Sequence, residues 1–103
     1  MRITLQWIAV IGLLSAAGPV RADYDLAGKK NCLACHQVDK RKYGPNFKEI
    51  AAKYADQKGA ADMLAKKIRR GGTGVWGQDV MPPQPQVSVA EARTLAEYIL
   101  SVK

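Results

Sequence analysis

Residues 31–36 read Asn-Cys-Leu-Ala-Cys-His, and the Cys-x-x-Cys-His pattern within them is the attachment signature of a c-type haem. The chemistry explains the spacing, because two thiols must reach the two vinyl groups of one macrocycle while the adjoining imidazole turns beneath its iron. A single turn of chain brings all three side chains to those positions. The motif therefore predicts thioether bonds from Cys32 and Cys35 and an iron ligand at His36.

Two other kinds of site use a Cys-x-x-Cys pair, namely a redox dithiol and half of a zinc site. Zinc would need a fourth ligand, yet the chain has two cysteines and one histidine, all within the motif. A thioredoxin-like fold needs βαβ units, and no run of alternating or β-branched residues is long enough to predict a sheet. The sequence favours covalent haem and leaves the dithiol as the main alternative.

The first 22 residues have the pattern of a secretory signal peptide. Arg2 is followed by an apolar run over residues 7–17, a Gly-Pro break and small residues up to Ala22. The run is well short of the roughly 20 apolar residues that span a bilayer, so a retained membrane anchor is the weaker alternative. We therefore expect cleavage after Ala22, export, and a mature domain of residues 23–103 without stable membrane insertion.

The chain is basic, with a formal net charge of +7 that falls to +5 once Arg2 and Arg21 leave with the signal peptide. A basic domain can bind nucleic acid, but an exported one rarely meets it. The aromatic residues are also not interleaved with the basic ones as stacking platforms would be. We therefore expect that the protein binds no nucleic acid and that its partner is an acidic protein.

A single domain of residues 23–103 has a small core, and domains of this size often depend on a cofactor for stability.

Capping residues and apolar periodicity predict an all-α domain of about four helices. We expect Asp25 to cap the first helix, Asn46 the second, and a Ser88–Glu91 capping box to begin the last. The third helix is predicted over residues 60–70. The predicted buried positions are Phe47, Ile50, Ala51 and Tyr54 on the second helix, and Ala61, Leu64, Ala65 and Ile68 on the third. On the last helix they are Ala92, Leu95, Ala96, Ile99 and Val102, and Tyr98 flanks this stripe.

Residues 71–87 contain four glycines and three prolines, which predict a long irregular loop. Long loops in small domains are usually functional. Met81 lies in this loop, and Pro82 and Pro83 stiffen the backbone behind it. Such a rigid mount suits a ligand that holds one geometry in both oxidation states, so we predict Met81 as the second iron ligand and Met63 as core filler.

Four motifs occur in a fixed order: residues 32–36, Gly44-Pro45, residues 74–77 (Gly-Val-Trp-Gly) and residues 81–83 (Met-Pro-Pro). Together they resemble the short bacterial class I cytochromes c of the c-551/c-552 group, over essentially the whole predicted mature chain. The resemblance implies a small class I cytochrome c fold, with about four helices wrapped around one covalently bound haem c. It also implies a periplasmic, monomeric electron carrier whose iron is ligated by His36 and Met81.

The resemblance implies further roles at the site. The Pro45 carbonyl would accept the ring N–H of His36, Trp76 would donate its indole N–H to a haem propionate, and Lys67 would lie near a propionate. One position departs from the family pattern. Relatives commonly have an asparagine after the proline pair that bonds the methionine sulfur, whereas this chain has Gln84.

These features favour a relay that passes single electrons between respiratory complexes and terminal reductases or oxidases, and not an enzyme. We expect Leu33, Ala34, Pro82 and Pro83 to frame an apolar window at which redox partners dock. Lys30 and Arg69 are predicted to steer acidic partners towards it, with Lys66 a less certain member of the same surround. A small haem peroxidase or gas sensor would need an open iron position, and a dithiol oxidoreductase or thiol chaperone would need no haem.

Overall fold

Four α-helices and one turn of 3-10 helix make up the regular structure of residues 19–103, the part of the chain that the computed structural model describes. The helices are α1 (Pro19–Lys29), α2 (Phe47–Tyr54), α3 (Ala60–Arg70) and α4 (Val89–Ser101), and the 3-10 turn (Cys32–Ala34) follows α1. Over this range the only strand-like pairing is an isolated antiparallel bridge between Gly72 and Met81. The all-α prediction is confirmed. The predicted signal peptide lies outside the described residues except for positions 19–22, and it stays a prediction.

The predicted Asn46 cap and the predicted Ser88–Glu91 capping box are both present, and Asn46 also forms a capping box with Glu49. At α2 the Asn46 side chain accepts the Glu49 backbone N–H at 2.7 Å, and the Glu49 carboxylate accepts the Asn46 N–H at 3.0 Å. At α4 Ser88 and Glu91 make the same reciprocal pair at 3.1 and 3.0 Å. Each box satisfies two backbone donors that the first helical turn leaves without a partner, so the start of each helix is determined locally.

Helix α1 differs from the prediction, because Asp25 lies inside it and does not cap it. The helix is described from Pro19 onward, so Asp25 has helical residues on both sides. No glycine or proline lies between Pro19 and Asp25, so nothing interrupts the helix before the predicted cap. The helix ends at Lys29, and Asn31 then turns the chain with a left-handed φ of 66°.

The core lies around α4, which packs against α1, α2 and α3. Its largest fully buried side chains are Phe47, Val87 and Leu95, and the ring of Phe47 meets Tyr98 edge to face at a centroid distance of 5.9 Å. Tyr98 is therefore part of the core, whereas the prediction placed it beside the apolar stripe of α4. The predicted buried face of α2 is confirmed in full.

Two of the predicted faces need adjustment. On α3 the buried residues are Ala60, Leu64 and Ile68, while Ala61 and Ala65 are only half-buried. Val102 is half-buried because it follows the end of α4. Periodicity located the apolar stripe of each helix, but the neighbouring helices decided how far it extends.

Candidate functional site

The haem-attachment motif, helix α3 and the loop over residues 71–87 surround one open cleft, with about 1320 Å³ of empty space that includes solvent at its mouth. All six residues predicted for the site line this cleft: Cys32, Cys35, His36, Pro45, Trp76 and Met81. Its apolar wall comes from all of the last three helices, with Phe47, Ile50, Leu64, Ile68 and Ile99 among its members. The structure therefore brings together predicted site residues that are up to 49 positions apart in the sequence.

The motif is a tight turn of backbone. The carbonyl of Cys32 accepts the N–H groups of Cys35 at 3.2 Å and of His36 at 2.9 Å. These bonds close a single turn of backbone that carries the two thiols and the imidazole. Both thiols are free; Cys35 is exposed and Cys32 is half-buried. Burial raises the pKa of the Cys32 thiol above its ordinary value. A dithiol oxidoreductase needs the opposite shift, since its chemistry depends on a readily formed thiolate.

The imidazole of His36 is oriented by three neighbours. Its Nδ1 lies 2.7 Å from the Pro45 carbonyl oxygen, and because a carbonyl only accepts, Nδ1 carries the proton and Nε2 keeps its lone pair for a metal. The ring of Phe47 stacks on it at 5.7 Å, with an angle of 23° between the planes. A Cβ at Gly44 would lie 2.6 Å from His36 Cε1, so only glycine lets the backbone pass this close.

Met81 is held at the cleft by its own backbone. It exchanges both backbone hydrogen bonds with Gly72, at 2.9 and 2.8 Å, and this bridge ties the loop to the end of α3. Gly71 has a φ of 73°, and a Cβ there would lie 2.3 Å from the Met81 carbonyl oxygen. Met63 packs against the edge of the hydrophobic core and is not among the residues that line the cleft.

Trp76 is half-buried and meets two cations. The Arg41 guanidinium donates to its backbone carbonyl at 2.7 Å, and the Lys53 ammonium lies 5.5 Å from the centre of its ring, within the range of a cation–π contact. Lys67 also lines the cleft, close to Gly72. Arg41 and Lys53 were not among the residues predicted for the site from the sequence. Nothing in their spacing signalled a contact with a loop 23 or 35 residues away.

Lys30, which is predicted to steer acidic partners, lies in an ion pair. Its ammonium pairs with Glu91 at 3.1 Å and donates to the Gln86 carbonyl at 3.1 Å, so much of its charge is offset. The Arg69 guanidinium similarly donates to the Val87 carbonyl at 3.2 Å. The predicted window itself is accessible, since Ala34, Pro82 and Pro83 are exposed and Leu33 is half-buried.

Two further findings concern residues 19–103. No three of their histidine, cysteine and acidic side chains are grouped so that they could hold a metal ion, which counts against the zinc alternative. None of their helices is both long enough and apolar enough to cross a membrane.

Comparison with known proteins agrees with this geometry. The family model described as cytochrome c matches residues 24–103. The chain is 56% identical over 90 residues to cytochrome c-552 of Nitrosomonas europaea, covering 87% of each protein, and 50% identical over 96 residues to cytochrome c-552 of Hydrogenobacter thermophilus, covering 93% of this chain and 94% of that one. The crystal structure of wild-type Nitrosomonas europaea cytochrome c552 superimposes with a TM-score of 0.76, covering 78% of this chain and 99% of that one at 56% identity.

An apolar cleft of this size, bordered by two free thiols and by an imidazole that keeps one nitrogen unprotonated, fits a haem attached through two thioethers. Helices that pack around an apolar cleft of this kind are typical of small haem proteins. The chain belongs to the cytochrome c family, and its curated relatives carry the names c-551 and c-552. It binds one covalently attached haem c, and the dithiol alternative is thereby set aside.

Proposed function

We propose that this cytochrome c is a periplasmic carrier that relays single electrons between respiratory complexes and terminal reductases or oxidases. One observation carries the proposal: a histidine with a fixed ring orientation and a methionine with a fixed backbone line the same cleft. A haem iron held from both sides by protein ligands changes oxidation state with little rearrangement and leaves no position for a substrate.

Each site residue has a role in this proposal. Haem c supplies a one-electron iron couple; Cys32 and Cys35 attach it, and His36 and Met81 ligate its iron. The hydrogen bond to Pro45 keeps the His36 ring in one tautomer and makes Nε2 a better donor. The thioether of Met81 favours the ferrous state and so raises the reduction potential.

The propionate side of the haem is proposed to lie near Trp76. Its indole N–H would donate to one propionate, and Lys67 would contribute a positive charge nearby. Arg41 and Lys53 support this role for Trp76, because the first holds its backbone and the second covers its ring.

Partner docking is proposed at the window formed by Leu33, Ala34, Pro82 and Pro83. Its exposed apolar surface supports weak contacts with fast release. Positive charge around it would speed the approach of acidic partners. Lys66 and Arg70 are exposed on the last turns of α3, and the Arg69 carbonyl between them accepts the Gln84 N–H at 3.2 Å, which places this end of the helix beside the window. We propose that these two residues supply the steering charge that Lys30 does not, and that the protein acts as a monomer.

Spectroscopy of the exported protein tests the proposal. Ferric protein should show the weak long-wavelength absorption band of methionine-ligated haem, and Met81→Ala should abolish it while Met63→Leu should keep it. Ferrous wild-type protein should show no carbon monoxide difference spectrum. Carbon monoxide binding by the wild-type protein would instead indicate the open iron position that a peroxidase or gas sensor needs.

A further inference from the structure

The loop after Met81 is tied to the end of helix α1 by a reciprocal pair of hydrogen bonds. The Gln86 side-chain amide donates to the Lys30 carbonyl at 3.0 Å, and the Lys30 ammonium donates to the Gln86 carbonyl at 3.1 Å. Because a backbone carbonyl only accepts, the amide nitrogen of Gln86 must face Lys30. Two residues that are 56 positions apart thus hold each other through both side chain and backbone.

A second link runs from this pair towards Met81. The Gln86 amide gives its other proton to the Gln84 side-chain oxygen at 2.6 Å, and the Gln84 amide nitrogen donates to the Pro82 carbonyl at 2.9 Å. Pro82 is the residue directly after Met81. Across residues 19–103 no hydrogen bond joins Gln84 to the Met81 sulfur, because the side chain of Gln84 is engaged with the backbone and with Gln86.

The far end of the link is anchored as well. Lys30 follows α1, and its ammonium pairs with Glu91 in the first turn of α4, where the two side chains are 23% and 32% exposed. On the amino-terminal side Met81 is held by the backbone bridge to Gly72. On the carboxyl-terminal side of Met81, the Gln84 N–H donates to the Arg69 carbonyl. The side-chain hydrogen bonds of Gln84 and Gln86 hold this part of the loop further.

We infer that Gln84 and Gln86 form a clamp, defined by these two side chains and their bonds to Pro82 and Lys30, that keeps the Met81 loop closed over the cleft. The inference rests on the proposed role of Met81 as an iron ligand. An external ligand can take the place of Met81 only if the loop moves away, and that movement breaks the Gln86 bonds. The clamp therefore sets how readily a competing ligand displaces the methionine, and both glutamines are positioning residues.

Imidazole titration of the ferric haem-loaded protein tests the clamp. Gln86→Ala removes both bonds that the amide donates and should make imidazole bind about tenfold more tightly, equivalent to about 1.4 kcal/mol. Without imidazole the long-wavelength band should persist in this variant. Gln78→Ala is the matched control in the same loop, and Asp62→Asn is a control for general destabilisation, because it weakens a surface ion pair with Arg93. Neither control should change the imidazole affinity.

The outcomes separate the clamp from the proposed function. Unchanged imidazole affinity in Gln86→Ala, with the Met81-dependent band present in the wild-type protein, overturns the clamp and leaves methionine ligation standing. A similar gain in Asp62→Asn also overturns the clamp, because it would reflect lower stability alone. A wild-type protein that lacks the band overturns both. A tenfold gain confined to Gln86→Ala supports the clamp.

Discussion

Gly44 lies against the ring of His36 so closely that a Cβ there would be 2.6 Å from Cε1 and 2.8 Å from Nδ1 of the imidazole. Contacts this short do not occur, so any larger residue must displace the ring or the backbone. The residue after Gly44 supplies the carbonyl that holds Nδ1. A displacement at Gly44 would therefore disturb both the position of the ring and its hydrogen bond.

Gly44→Ala is expected to destabilise the haem-loaded protein by about 1–3 kcal/mol, the usual cost of forcing extra volume into a packed site. Denaturant unfolding measures this free energy, and the absorption spectrum reports the histidine ligation. Gly28→Ala is the matched control, since a Cβ there would make only an ordinary 3.5 Å contact with Leu33 and alanine favours the helix. Equal stability of the two variants would contradict the close packing of Gly44 on His36.

Folding is expected to depend on the haem. The cleft is lined by large apolar side chains such as Tyr43, Val75 and Val80, which are exposed and would face water without the haem. Domains of this size bury too little surface to tolerate such a loss. Replacing Cys32 and Cys35 together by alanine should leave a largely unfolded chain by far-ultraviolet circular dichroism. Full helicity in that haem-free variant would show that the protein core suffices alone.

Stability should fall on acidification partly through Glu91. The backbone N–H of Ser88, followed by the side chain of Lys30, holds the pKa of Glu91 below its ordinary value of 4.5. A depressed folded-state pKa means that the stabilisation is present above pH 4.5 and is lost as the pH falls through the lower folded-state value. Glu91→Gln should therefore lower the melting temperature near neutral pH, and its difference from wild type should shrink in acid.

Thermal melts over a pH series measure this effect. Glu97→Gln is the control, because Glu97 pairs only with Arg93 on the same exposed helix face and should change the melting temperature little. A difference between wild type and Glu91→Gln that stays constant down to pH 3 would contradict the assigned role of the Glu91 carboxylate.

Association with an acidic redox partner should depend on Lys66 and Arg70. Reversing both charges to glutamate is expected to slow association several-fold at low ionic strength and much less at high salt, because exposed charges act over about 10 Å at 0.1 M salt. The absorption spectrum should not change. Stopped-flow electron transfer measures the rate. Lys58→Glu is the control, because Lys58 lies just before the opposite end of α3, and an equal or greater slowing there would locate the docking face elsewhere.

Features that depend on residues close together in the chain could be predicted from the sequence. The haem-attachment motif spans five residues, each capping box spans four, and each apolar stripe repeats within one helix, so their chemistry is readable before the chain folds. The extent of α1 was misjudged even locally, because Asp25 can cap a helix but an uninterrupted run from Pro19 continued the helix through it.

Which distant groups meet depends on how the folded chain packs. The Lys30–Gln86 pair joins positions 56 apart, and Arg41 reaches Trp76 across 35 positions. The same packing pairs Lys30, an expected steering charge, with Glu91, and it engages the side chain of Gln84 with Pro82. Such contacts depend on how helices and loops pack in three dimensions, and no local spacing in the sequence encodes them.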